Sequence, residues 1–117
     1  MFWMLEGNVA SERHLTREWT AAGLDPSRLV FANRSEPDDH IARASLCDLA
    51  VDTPMYNSGA TAADTLFAGV PIVTRPSSKL AGRMAASMLR GVGLGRLTVA
   101  RNEEDYEALL MKVTCDV

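Results

Sequence analysis

The sequence predicts an α/β fold, a doubly wound and mainly parallel sheet of the Rossmann-like kind. Short apolar runs recur along the chain: Phe2-Trp3-Met4-Leu5, Leu29-Val30-Phe31, Leu49-Ala50-Val51 and Pro71-Ile72-Val73. They lack the strict alternation of half-exposed strands and fit strands covered on both faces. Stretches with helical spacing stand between them. Strands alternating with helices of this length imply parallel βαβ units.

Each element has a local reason. After the first run, Ser11 is a candidate cap for a helix reaching Ala22, with Gly23 as its stop. The turn Asp25-Pro26 leads into the second run. Asp38-Asp39 favours a helix start through the dipole, and that helix runs to about Ala44. A helix is expected over 62–68, ended by Gly69, and another over 80–90, closed by Gly91 or Gly93. Leu97-Thr98-Val99 is short and ambiguous, and the segment 103–113 has the pattern of a last amphipathic helix.

The segment DLAVDTPMYNSGATAADTLFAGVPIV, from Asp48 to Val73, reads as one complete strand-loop-helix-strand unit. Its loop, Asn57-Ser58-Gly59-Ala60-Thr61, opens directly onto the helix. Amides at a helix start are unpaired and carry the positive end of the dipole, which suits a phosphate. Asp64, one turn on, can accept hydrogen bonds from sugar hydroxyls. In open α/β sheets ligands bind beyond the carboxyl ends of the strands. The loops carrying Ser35, residues 57–61 and residues 75–79 all follow strand ends. The unit therefore points to a nucleotide or nucleotide-sugar site.

Composition excludes several other classes. A chain of 117 residues with 47% apolar and 23% charged side chains has the make-up of one globular domain. Its net charge of -3 argues against a nucleic-acid binder. The apolar runs are too short to span a bilayer, and the opening MFWMLEG lacks the basic start of a secretory signal. Cys47 and Cys115 form no metal-ligand pattern and read as reduced thiols of a cytoplasmic protein. His14 and His40 share no metal-type spacing, so no metal is expected. The dinucleotide fingerprint GxGxxG and the Walker A pattern are both absent, so hydride transfer has no support. The chain starts almost inside a strand, and it is expected to be part of a longer polypeptide.

Taken in order, FWMLEGN, RLVFA, DDHIARASLCDLAVDTPMYN, GATAADTLFAGVPIVT and LAGRMAASMLRGVGL resemble the C-terminal catalytic lobe of the O-linked N-acetylglucosamine transferases. These are grouped with the bacterial tetratricopeptide-linked glycosyltransferases and the Spindly-type fucosyltransferases. The resemblance spans nearly the whole chain. It implies a GT-B glycosyltransferase, with two Rossmann-like lobes and a cleft between them. It also implies a nucleotide-sugar donor, UDP-N-acetylglucosamine, used without a metal, and an acceptor Ser or Thr on a protein. Residues 1–117 would form the nucleotide-sugar-binding C-terminal lobe, with the N-terminal lobe and the repeats absent.

The resemblance carries over residue by residue. His40 matches a histidine that packs against the uridine, and Arg43 an arginine close to the base. The backbone around Ser35 matches the segment that reads the uracil edge. Thr61 matches the second threonine of a His-Thr-Thr motif that contacts the diphosphate, and Asp64 the acid that holds the ribose hydroxyls. Gly59 and Ala60 stand where that motif has His and Thr, so amides replace two side-chain contacts there. Pro37 replaces a lysine near the base edge, and a phosphate-binding lysine falls upstream of FWML. No residue of the chain is assigned as catalytic, and the chain alone is expected to bind a nucleotide and transfer nothing.

Plain structural roles compete at several positions. Asp64 could serve as a helix-dipole acid, Arg43 as a partner of Asp39, Asn57 and Ser58 as turn formers, and Arg83 as a structural ion pair. Tyr56 is expected to pack or shape the loop, Asp52 to cap it, and Met84, Met88 and Leu89 to lie in the core. Two other readings of the whole chain remain. One is a lobe that takes GDP-fucose, which the Gly-Ala-Thr loop also fits. The other is a non-catalytic α/β interaction module that covers its missing lobe by self-association.

Overall fold

The computed structural model of the chain describes residues 1–115. It divides into two compact units, Met1–Pro37 and Asp38–Val117.

The first unit is a single βαβ crossover. Strands β1 (Phe2–Leu5) and β2 (Leu29–Ala32) pair in parallel, Phe2 opposite Leu29 and Leu5 opposite Ala32, and helix α1 (Val9–Ala21) joins them. The start of α1 corrects the sequence reading. Asn8 is its cap, not Ser11: the Asn8 side chain accepts the Ser11 amide at 2.8 Å, while Glu12 reaches back to the Gly7 amide at 3.0 Å. Ser11 has the right chemistry for a cap, but it sits inside the first turn and returns its hydroxyl to the Asn8 carbonyl. Gly23 ends the helix with φ +79°, the left-handed conformation that favours glycine. Trp19 is held by its ring contact with Phe2 and by an indole N–H bond to the Asp25 carbonyl at 2.9 Å. A tight single turn over Pro26–Arg28, capped by Asp25, then feeds β2. No residue of this unit is fully buried, because one helix on a two-stranded sheet covers only one face.

The second unit holds the core. Helix α2 (Pro37–Ala44) crosses into it and starts as expected, with Pro37 first and Asp38 and Asp39 in the first turn. Strands β3 (Ala50–Val51) and β4 (Ile72–Val73) pair in parallel, and α3 (Ala60–Phe67) is their crossover. Each strand is shorter than its apolar run, since Pro71 has no N–H to extend the ladder. Pairing is parallel throughout, and the ladders form two two-stranded sheets.

Beyond β4, the helix expected over 80–90 is broken. A single tight turn, Leu80–Gly82, precedes α4 (Met84–Gly91). The ambiguous segment is both things at once: α5 (Gly95–Thr98) is a short helix, and Val99 then bridges Thr74 in parallel. Helix α6 (Glu103–Cys115) closes the described chain and contacts β4.

Ala62, Ile72, Ala85 and Leu89 form the buried cluster, with Ala50, Leu66, Met88, Leu94 and Val99 packed on it. The Leu89 side chain is fully enclosed and Met88 packs on the cluster, as the helical stripe suggested, but Met84 is exposed and outside the core: it opens α4, with its methyl against Gly59. Gly82 is tied to the loop after β3. A Cβ at that position would run into Ser77 Oγ and come within 2.8 Å of the Pro54 carbonyl.

Two outcomes follow for stability. Leu89→Ala removes a buried side chain from the centre of the cluster and should cost about 2–5 kcal/mol in urea unfolding. Gly82→Ala overpacks the contact between the two loops and should cost about 1–3 kcal/mol, read as a lower urea midpoint at unchanged slope.

Candidate functional site

The site is built from the loop between β3 and α3. Chain order brings it to the carboxyl end of β3, where Asp52 is buried (2% exposed). A buried carboxylate is costly unless it is hydrogen-bonded, and both Asp52 oxygens are. Oδ1 accepts the Ser58 amide at 2.7 Å, and Oδ2 accepts the Thr74 hydroxyl at 2.6 Å. The Asp52 amide donates to the Val73 carbonyl at 3.0 Å, and the Asp52 carbonyl accepts the Tyr106 hydroxyl at 2.6 Å. The loop ties itself further. The Thr53 hydroxyl donates to the Tyr56 carbonyl, and Asn57, fully buried, donates its side-chain amide to the Thr53 carbonyl at 2.8 Å. The Asn57 backbone amide donates to the Ala81 carbonyl, which anchors the loop to the turn before α4.

This arrangement delivers the start of α3 in a defined state. Ser58 has given its amide to Asp52. The next three amides, of Gly59, Ala60 and Thr61, donate no hydrogen bond among the described residues. The helix proper begins with the bonds of Ala62 and Ala63 to the Gly59 carbonyl. Thr61 is exposed, and its hydroxyl is unpaired among the described residues. Asp64, half-buried and three residues on, likewise has an unpaired carboxylate. Positions three apart neighbour one another on a helix surface. Three free amides, a hydroxyl and a carboxylate therefore lie along one helix start, with donors for an anion first and an acceptor for hydroxyls one turn later.

The expected site residues divide by place. Gly59, Ala60, Thr61 and Asp64 come together on the loop and first turns of α3. His40 and Arg43 stand together on α2, half-buried and three positions apart. Ser35 lies in the exposed connection after β2, in the first unit.

Several competing roles are decided. Helix α3 starts at Ala60, two residues earlier than expected, so Asp64 is past the first turn and a dipole acid is not needed there. Tyr56 does not pack: it is 71% exposed, and its carbonyl serves the loop. Asn57 and Ser58 are loop-formers, as their hydrogen bonds show. Arg83 is exposed and has no ion pair among the described residues. Asp52 caps the loop as expected, and its link to Thr74 has no local signal in the sequence. Twenty-two residues separate the two, and only the parallel pairing of β3 with β4 brings them together.

Burial, more than the charge of Asp52, raises the Tyr106 phenol above its usual value, with Arg75 opposing. It therefore acts as a neutral donor. Arg75 also pairs with Glu103 at 3.5 Å, so α6 is joined to the strand-end region at two points. Burial likewise raises the Cys47 thiol, helped by Asp48. Among the described residues no group of three or more His, Cys, Asp or Glu side chains is placed to hold a metal ion, and no helix is long and apolar enough to cross a membrane.

The model of Glycosyl transferase family 41 matches residues 1–117. The chain belongs to that family. The UDP-N-acetylglucosamine–peptide N-acetylglucosaminyltransferase of Caenorhabditis elegans is 35% identical over 116 residues, 99% of this chain and 10% of that protein. The probable enzyme SEC of Arabidopsis thaliana, of the same description, is 35% identical over 105 residues, 90% of this chain and 11% of its own length. The probable enzyme SPINDLY of Petunia hybrida, again so described, is 38% identical over 100 residues, 81% of this chain and 10% of its own. Among solved structures, a mutant O-GlcNAc transferase of Thermobaculum terrenum superposes with a TM-score of 0.84 at 29% identity, covering 91% of this chain and 20% of that one. The family 41 chain described here thus has the α/β fold of an O-GlcNAc transferase segment, and it spans about a tenth of the length of its curated relatives.

The Tyr106 bond yields a pH prediction. The folded chain keeps the phenol proton at pH values where the unfolded chain has released it. Stability from this group is therefore intact below pH 10.0, the ordinary value, and falls as the pH rises above it. Tyr106→Phe should lose about 1 kcal/mol at neutral pH and flatten the alkaline decline that sets in above pH 10.0, as measured by urea unfolding.

Proposed function

We propose that this chain is the nucleotide-sugar-binding segment of a protein O-glycosyltransferase that takes UDP-N-acetylglucosamine and glycosylates Ser or Thr on a protein. The observation that carries the reading is the row of unpaired groups at the start of α3: the amides of Gly59, Ala60 and Thr61, the Thr61 hydroxyl and the Asp64 carboxylate. Family membership and the activity for which the relatives are named support it.

In this reading the amides and the Thr61 hydroxyl hold the donor diphosphate. Attack by the acceptor hydroxyl inverts the anomeric carbon and expels the nucleoside diphosphate. Negative charge grows on the leaving group, and fixed donors aimed at that charge lower the barrier. No metal is required, since the donors are main-chain dipoles held in place before reaction. Asp64 accepts hydrogen bonds from the ribose hydroxyls. His40 packs on the uracil, and Arg43 lies near the base. None of these residues is a general base. The chain alone binds the nucleotide weakly and transfers no sugar, and the protein works in the cytoplasm with the rest of the transferase.

Titration of the 117-residue chain with UDP, GDP and ADP, followed by amide NMR shifts, tests this. UDP should produce selective shifts at His40, Gly59, Thr61 and Asp64. Asp64→Ala should weaken UDP about tenfold, the equivalent of one charge-assisted hydrogen bond. An equal response to all three nucleotides, or none at millimolar concentration, would refute the assignment. A preference for GDP would move the donor to a guanosine-linked sugar.

A further inference from the structure

We infer that Asp52 is a positioning residue: by taking the Ser58 amide it fixes the turn of the chain that leaves the Gly59, Ala60 and Thr61 amides presented together to the donor's diphosphate. The last part of this inference rests on the function proposed above. The positioning itself rests on geometry alone.

Asp52 is the last residue of the β3 end that is held by the sheet, through its amide bond to Val73. Ser58 is the last residue before the free amides. The carboxylate spans the two directly, Oδ1 to the Ser58 amide at 2.7 Å. Its other oxygen is held by the Thr74 hydroxyl at the end of β4, and its carbonyl by Tyr106 of α6. The carboxylate therefore cannot rotate without breaking bonds to a second strand end. The loop between is kept in shape by Thr53 and Asn57. The Ser58 amide would otherwise compete for any bound anion. Committing it inward sets the direction in which the following amides leave the loop.

Asp52 bears a negative charge near an anion site, which works against binding. Geometry and charge thus act in opposite directions, and this separates positioning from a general structural role. In Asp52→Asn the side-chain oxygen can still accept the Ser58 amide, and the amide group can donate to Thr74 Oγ1, with the threonine hydroxyl turned round. The loop is kept and the charge is gone. In Asp52→Ala the acceptor is lost.

Two measurements on the full chain decide it. The first is amide hydrogen exchange without ligand. Asp52→Ala should speed exchange at Ser58 at least tenfold relative to wild type, with the Ile72 and Leu89 amides unchanged, whereas Asp52→Asn should stay within about threefold of wild type. The second is UDP titration. Asp52→Ala should weaken binding at least tenfold, and Asp52→Asn should bind as wild type or up to a few-fold tighter. If Asp52→Ala does not fold, Thr74→Val supplies the same test more gently, with faster Ser58 exchange and weaker UDP binding at an intact core. Unchanged Ser58 exchange in Asp52→Ala, or in Thr74→Val should that be the variant used, overturns the inference. So does a loss in Asp52→Asn as large as in Asp52→Ala. If the wild-type chain binds no UDP, the proposed function falls, while the exchange pattern still decides whether Asp52 positions the loop.

Discussion

A buried carboxylate must find its hydrogen bonds inside the protein, and the second unit is organised around meeting that demand at Asp52. The residue stands where β3 ends. To satisfy both oxygens the chain must bring back the Ser58 amide from one side and the Thr74 hydroxyl from the other. The first requirement closes the loop that opens α3. The second requires β4 to run parallel to β3 and to end level with it, which the pairing of Val51 with Val73 provides. Thr74 is in turn fixed by the Val99 bridge, and Tyr106 brings α6 onto the same point. One charged group thus couples two strand ends, a loop and the last helix. A hydrophobic residue there would fill the space without specifying any of these directions.

The loop itself works by being small. Gly59 has no side chain, and the Met84 methyl lies 3.1 Å from where its Cβ would be. A larger residue at this position would have to displace the thioether. The resemblance noted above places a histidine-threonine pair where this chain has Gly59-Ala60. Here the exposed donors are main-chain amides, and the space beside them is taken by a methionine from α4. Main-chain donors are set by backbone geometry alone, so the binding strength of such a loop depends on how firmly its turn is held. The Asp52 carboxylate, bonded to the Ser58 amide, holds one end of that turn.

Much of the architecture was legible because its signals are local. Gly23, Gly69 and Gly93 each adopt positive φ, and each stands at a helix end where the sequence places a stop. The unit from Asp48 to Val73 was readable as strand, loop, helix and strand, since its apolar runs are bounded by turn residues. What stayed hidden depends on contacts far apart in the chain. Nothing near Gly82 announces that Pro54 and Ser77 crowd it, or that a tight turn stands there in place of the expected helix. Asn8 and Ser11 are both good caps, and the choice between them is made by which turn Glu12 can close. At the site, Thr61 and Asp64 could be picked from their loop. The partners of Asp52 could not, because Thr74 and Tyr106 reach it only after the sheet and α6 are assembled.

The early start of α3 has an electrostatic consequence. A carboxylate in the first helical turn would stand beside the free amides and would repel any anion brought to them. Because the helix begins at Ala60, Asp64 is set back from Thr61 by three residues, a rise of about 4.5 Å along the axis. That distance separates two kinds of group on the helix: hydrogen-bond donors at its start, and an acceptor further along. Asp52, the other nearby acid, has both oxygens committed to hydrogen bonds within the protein, which spreads its charge over Ser58 and Thr74. An acidic chain can in this way present an anion-binding loop. Its donors come from the backbone, one carboxylate is turned inward, and the other is set back from them along the helix.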